Sequence, residues 1–137
     1  MSRGLRNNNP GNIRQSAVHY QGEIVPSADP AFKQFKTVAW GYRALFVLLH
    51  TYQKKHGLHT IRTMVGRYAP PIENETGKYV QAVTNWSGIP ADRILNTQDG
   101  TVMIPIVSAM SRMENGIAAV SADVGAGWEL FIQTVNA

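Results

Sequence analysis

The sequence predicts a single, mainly α-helical domain with one small β-hairpin, an α+β arrangement. Three observations point there. From Val38 onward, apolar residues recur at helical spacing. Gly57, Pro70-Pro71, Gly88 and Gly116 punctuate that pattern, dividing it into separate helices. The β-branched and aromatic residues set between turn formers gather instead in residues 15–36. At 137 residues the chain is long enough for one hydrophobic core and short for two.

The chain opens with Arg3 to Arg14, in which Asn7-Asn8-Asn9 runs into Pro10-Gly11 and Asn12 follows. Such a segment is expected to be neither helix nor strand but a tight turn, stabilised by side-chain to backbone hydrogen bonds. Val18 to Val25 reads as a short strand, Pro26 to Pro30 as a turn, and Phe32 to Phe35 as a second strand or an entry segment. Thr37 caps the clearest helix, Val38 to His56. Its stripe is Trp40, Ala44, Val47, Leu48 and Tyr52, widened by Leu45 and Leu49, and it ends in Lys54-Lys55-His56 before Gly57. Thr60 caps a shorter helix ending near Tyr68, since Pro70-Pro71 cannot continue it. A third helix, Glu75 to Ser87, turns Tyr79, Val80, Val83 and Trp86 inward, and Pro90 to Leu95 forms one more helical turn. Val102 to Glu114 follows, with Pro105 in its first turn, and Asp123 to Val135 closes the chain.

Composition narrows the function. Charged residues are 16% and apolar residues 44%, the balance of a folded chain. A net charge of +4 suits an anionic partner. Nucleic acid is not the expected one, because the basic residues are spread and the dense cluster Lys54-Lys55-His56 is explained by its helix end. Without cysteine there is no disulfide, thiol nucleophile or thiolate metal site. The histidines form no His-Glu-x-x-His pair or other compact ligand set, no Ser stands in a Gly-x-Ser-x-Gly elbow, and no Gly-rich phosphate loop is present. No metal or cofactor is therefore expected. The longest apolar run, Ala44 to Leu49, is too short to span a bilayer, and the N-terminus lacks a signal-peptide pattern. These features lead to an expectation of no membrane insertion and no export signal.

The remaining chemistry is that of amides, guanidinium groups and carboxylates. Asn side chains offer donor and acceptor in one planar fork suited to amides and sugar acetamido groups, and Arg forks suit carboxylates. A glycosidic bond is cut by a carboxylic acid held protonated in a partly apolar pocket. Among the nine acids, Glu73 has the most apolar neighbourhood, following Tyr68-Ala69-Pro70-Pro71-Ile72. Either Glu73 or Glu75 could instead complement a helix N-terminus. Glu23 on the hairpin is the second catalytic candidate, while Asp29 reads as a turn former before Pro30. Glu114 lies at a helix C-terminus, the unfavourable end for an ionised acid, and so marks either a buried functional carboxyl or nothing of consequence.

Arg3-Gly4-Leu5-Arg6-Asn7-Asn8-Asn9-Pro10-Gly11-Asn12-Ile13-Arg14, then Phe32-x-x-Phe35, Trp40-Gly41-Tyr42-Arg43-Ala44-Leu45 and Ala69-Pro70-Pro71-x-Glu73-Asn74-x-Thr76-x-x-Tyr79, resemble phage and prophage lytic or structural virion proteins with a lysozyme-like fold. Tyr68-Ala69 and Glu75-Thr76-x-x-Tyr79-Val80 are also similar to the tyrosine loop and helix start that border the glycan cleft of lytic transglycosylases. The resemblance implies a muralytic enzyme acting on bacterial peptidoglycan, made in the bacterial cytoplasm and reaching the wall through a holin or within a virion. It implies a groove lined by Asn9, Asn12, Tyr68 and Tyr79; Arg14 and Arg43, as groups that orient carboxylates, and Glu75 are the further substrate-binding candidates. A non-catalytic wall-binding or virion module and a murein endopeptidase are the alternatives. In transglycosylases the catalytic Glu ends a helix just before the loop corresponding to Asn7 to Ile13. Here Met1 to Arg6 carry no acid, which leaves Glu73 or Glu23 as the expected catalyst.

Overall fold

Three of the main helices start at a side-chain cap, and three end at a glycine in the left-handed region. A computed structural model describes residues 1–69 and 72–136, the side chains of Glu73 and Asn74 excepted. In chain order the elements are α1 (Arg3–Arg6), β1 (Glu23–Ile24), β2 (Gln34–Phe35), α2 (Val38–His56), α3 (Ile61–Tyr68), α4 (Glu73–Ser87), α5 (Gly100–Asn115) and α6 (Ser121–Val135). Thr37 accepts from the Trp40 amide at the start of α2, and Gly57 closes that helix in the left-handed region at φ 64°. Thr60 and Thr63 form a reciprocal capping box on α3. Asp99 caps α5 through the Thr101 amide, so this helix starts two residues earlier than expected. Gly88 and Gly116 end α4 and α5 at φ 74° and 71°.

The central element is α2. Its six consecutive residues Gly41 to Phe46 are all buried, which requires packing on several sides rather than along one stripe. On one side α6 contributes Trp128 edge-on to Phe46 at 5.0 Å and Phe131 at 5.9 Å. Val102, Met103, Ile106, Val107 and Met110 of α5 complete the core with Met64 and Val65 of α3 and Val80 and Val83 of α4. Each fully buried Leu or Phe in this core contributes about 2 kcal/mol relative to exposure. On another side Ala44 joins a smaller cluster with Ile13 and Phe35.

Four expectations need correction. Arg3–Arg6 is a helical turn, because the Ser2 hydroxyl accepts from the Leu5 amide at 3.2 Å and caps it. The hairpin is smaller than expected, pairing only Glu23 with Phe35 and Ile24 with Gln34, with an isolated bridge from Arg14 to Phe32. Of the expected first strand, Val18 to Val25, only Glu23 and Ile24 pair; at its start the Val18 carbonyl accepts from the buried Lys33 ammonium at 2.8 Å. Trp86 is 43% exposed rather than inward, its ring covered by the Arg112 guanidinium at 4.2 Å. Residues 90–95 form a turn without a helix, pinned by the Leu95 amide to the His59 carbonyl at 2.7 Å. Among the described residues, no helix is long and apolar enough to cross a membrane.

Candidate functional site

The Asn-rich turn is the structural hinge of the site, and each Asn holds a distinct part of it. Asn8 and Asn12 both sit at φ 51°, a left-handed conformation that Asn tolerates better than other non-glycine residues. Asn7 donates to Asp29 at 3.1 Å, and Asn8 donates to the Phe35 carbonyl at 3.1 Å. Asn9 was expected to line the groove, but it is fully buried. Its amide donates to the carbonyls of Ile13 at 3.0 Å and Lys33 at 2.9 Å and accepts from the Ile13 amide at 2.9 Å. That fork satisfies the turn itself and leaves nothing for a ligand.

The turn is clamped between α2, α3 and α5. Gly41 of α2 lies against the Asn8 carbonyl so closely that a Cβ there would collide with it. The Tyr68 hydroxyl at the end of α3 donates to the Gly11 carbonyl. From the end of α5, Asn115 donates to the Pro10 carbonyl at 2.8 Å and accepts from the Ser2 hydroxyl at 2.7 Å. The residue before it is therefore delivered to the same place.

That residue is Glu114. Asn12 donates to Glu114 Oε1 at 3.0 Å, and the Tyr79 hydroxyl of α4 donates to Oε2 at 2.9 Å. Burial pushes the carboxyl pKa above its ordinary value, although Asn12, Tyr79 and the nearby Arg14 charge partly oppose the shift. Glu114 lines an open cleft of about 500 Å³ together with Asn12, Arg14, Tyr20, Tyr52 and Tyr68. A carboxyl with a raised pKa, held by two donors on the wall of an aromatic cleft, keeps its proton to higher pH than a free carboxyl does and can release it to a bound group.

The other expected residues fall into three places. Asn12, Arg14 and Tyr68 line the cleft, Arg14 stacking over Phe32 at 5.0 Å, and Tyr79 reaches it through Glu114. Arg43 is only 6% exposed; it lines a neighbouring basin, and its guanidinium donates to Thr134 Oγ1 at 3.0 Å. Glu75 is exposed on α4, 4.0 Å from Lys78. Glu23 serves the hairpin: burial would raise its pKa, but the Tyr20 amide, His19 and Lys33 outweigh burial and hold it below the ordinary range. Its carboxylate lies 3.2 Å from the wholly buried Lys33 ammonium, an internal ion pair rather than a proton donor. Glu73 begins α4, and its side chain lies outside the described atoms. Asp29, read as a turn former, accepts from the amides of Ala31 and Phe32 and binds Arg3 through both oxygens. Among the described residues, no cluster of three or more His, Asp or Glu could share a metal ion.

No protein-family model matches the chain. It is 42% identical over 118 residues to Protein P5 of Pseudoalteromonas phage PM2, an alignment that covers 84% of this chain and 72% of that one. The chain belongs to the P5 family. For this P5-family chain the residue that sequence reasoning set aside is Glu114. Its signal was present as an acid in the last turn of a helix, where burial and the helix C-terminus both disfavour the charged form. Its partners were hidden because Asn12 lies 102 positions and Tyr79 35 positions away along the chain.

Proposed function

We propose that this chain degrades bacterial peptidoglycan by cutting the glycan strand, with Glu114 as the general acid. The observation that carries the reading is the Glu114 carboxyl itself, raised in pKa and fixed by Asn12 and Tyr79 on the wall of an aromatic cleft. Tyrosine rings stack on sugar faces, and the Asn12 amide and Arg14 guanidinium supply polar selectivity. Protonation of the glycosidic oxygen by Glu114 lets the bond from C1 to that oxygen break and leaves positive charge at C1. The resulting carboxylate then takes the proton of the incoming nucleophile, either water or the 6-hydroxyl of the same sugar, and the carboxyl is restored. Glu114 is the one carboxylate among the described residues lining the cleft, which suits a cycle in which one group acts first as acid and then as base.

A lysozyme-like fold accommodates this reading. In the enzymes the sequence resembles, the catalytic acid ends a helix directly preceding the Asn-bearing loop. Here the acid ends α5 and meets that loop in space, so a similar juxtaposition is reached by a different chain order. Glu73 and Glu23 give way to Glu114 as the proposed catalyst. The phage kinship suits delivery to the wall within a virion or through a holin.

Incubation with purified sacculi followed by fragment analysis tests the proposal. Anhydro-muramyl ends mean lyase chemistry, and reducing ends mean hydrolysis. Free peptide termini with intact strands would replace this reading by a murein endopeptidase. Binding to sacculi without fragments at any pH would leave a wall-binding or virion module, with the Asn12 and Tyr79 bonds to Glu114 purely structural.

A further inference from the structure

The cleft does not end at Tyr20 and Tyr52. Ser16, Tyr20, Leu48 and Tyr52 also line a second basin of about 390 Å³, so the two basins adjoin across these four residues. The chemistry changes across that boundary. Whereas the first part carries Glu114, the second is walled by Arg43, Lys55, His56 and Arg67 and by His19. Among the described residues, Arg43, Lys55, His56 and Arg67 form no ion pair with a carboxylate. Glu23, which meets the wall residue His19, is 2% exposed and already bound by Lys33 and His19.

Arg43 is the informative member. A guanidinium almost wholly removed from water normally meets a carboxylate, because an uncompensated buried charge is costly. Here its hydrogen bonds go to the Thr134 hydroxyl, and Trp40 lies 5.8 Å away beneath it. Arg67 stacks over the Tyr52 ring at 5.3 Å, which places a second guanidinium beside the floor that both basins share. The basin thus has an aromatic floor, a buried unpaired cation and an exposed basic rim.

We propose that this basin is an anion subsite that receives the carboxylates of the peptide stem on a peptidoglycan strand whose sugars occupy the cleft beside Glu114. The proposal rests on the peptidoglycan reading above and adds to it a substrate preference. The chain should act on peptide-bearing strands in preference to naked amino-sugar polymers. Carboxylates are the fitting occupant because the stem carries several of them at spacings a basic groove can collect, and because the site adjoins the sugar cleft rather than standing apart from it.

Two strand preparations provide the test: glycan strands with intact uncrosslinked stems, and the same strands stripped of peptide by an amidase. The expected result is a kcat/KM about tenfold higher on the peptide-bearing strands, falling toward parity as salt rises. The double variant Lys55→Glu/Arg67→Glu, at two exposed positions, should abolish most of that preference while the circular dichroism spectrum stays that of the parent. Equal turnover of both preparations at low salt would overturn the inference, as would a preference that survives the double reversal. Were the wild-type chain to cut neither preparation, titration calorimetry with a soluble disaccharide tetrapeptide and with the bare disaccharide decides separately. Salt-sensitive binding of the first, lost in the double variant, upholds the subsite although the cleavage reading has failed; equal or undetectable binding of both removes it.

Discussion

Glu114→Gln exchanges the proposed acid for a group of the same shape that cannot give up a proton. The Gln carbonyl can accept from Asn12 in place of Oε1, and its amide can donate to the Tyr79 oxygen in place of Oε2, so both contacts survive with donor and acceptor reversed at one of them. The hydrogen-bond balance should therefore move stability by no more than about 1 kcal/mol. Turnover on sacculi should fall by roughly 10²–10⁴-fold, the ordinary worth of a positioned general acid, which corresponds to about 2.7–5.4 kcal/mol in the barrier. Co-sedimentation with sacculi should be retained.

Stability supplies an independent check. Burial raises the folded-state pKa of Glu114 above its unfolded value, so the native state holds the proton more tightly. The resulting stabilisation is fully present below the unfolded pKa, near ~4.3. It is lost as pH rises through the higher folded value. Gln has no such dependence. The Tm of the variant minus that of the parent should be flat in acid and grow as pH climbs through that window. A variant that keeps turnover within about threefold of the parent would refute the assignment, since a general acid is worth far more than that. A Tm difference shrinking with pH would show that the carboxylate is stabilised as an ion, contrary to its burial.

The remaining expectations concern the surroundings of that carboxyl. Tyr79→Phe removes a hydroxyl that donates to the charged form of Glu114, so the pKa should rise further and the alkaline limb of the pH–rate profile should move to higher pH. An unshifted profile would mean that the limb belongs to another group. Asn9→Ala strands two carbonyls and an amide in the interior and should cost about 2–4 kcal/mol in urea denaturation, whereas a surface ligand contact would cost almost nothing. Gly41→Ala should destabilise by about 2 kcal/mol or more, despite the better helix propensity of Ala, because the added methyl meets the Asn8 carbonyl. Its control is Gly66→Ala on α3, where a Cβ meets nothing within 4 Å and a gain of about 0.5–1 kcal/mol is expected. Lys33→Met leaves the Glu23 carboxylate buried without its ammonium and should cost about 3–5 kcal/mol by the same denaturation measurement, with part of the loss recovered when Glu23→Gln is added.

Local chemistry was legible in the sequence wherever a few neighbouring residues decide the outcome. Thr37 and Thr60 start α2 and α3, and Gly57, Gly88 and Gly116 stop their helices at positive φ. These signals act within one turn of chain, so reading them requires no knowledge of the fold. The Asn-rich segment was equally recognisable as a turn, but its outward role was not, because Asn9 faces carbonyls supplied partly by Lys33, 24 positions on. Likewise the first strand was expected from its β-branched residues, and the buried ammonium of Lys33 overrode that propensity by drawing the Val18 carbonyl to itself.

The candidate site belongs to the tertiary structure. Its ingredients were all visible: Asn12, Arg14, Tyr68 and Tyr79 as cleft residues, and Glu114 as an acid at an unfavourable helix end. What the linear pattern could not rank was nine carboxyls, since pKa depends on burial and on donors brought from elsewhere in the chain. Helices, their boundaries and the amide-rich turn follow from interactions a few residues long and were the sequence's own to determine. Which carboxyl is buried beside that turn, and which arginine is left without an anion, depends on how α2, α4 and α5 pack, and only the folded chain decides that.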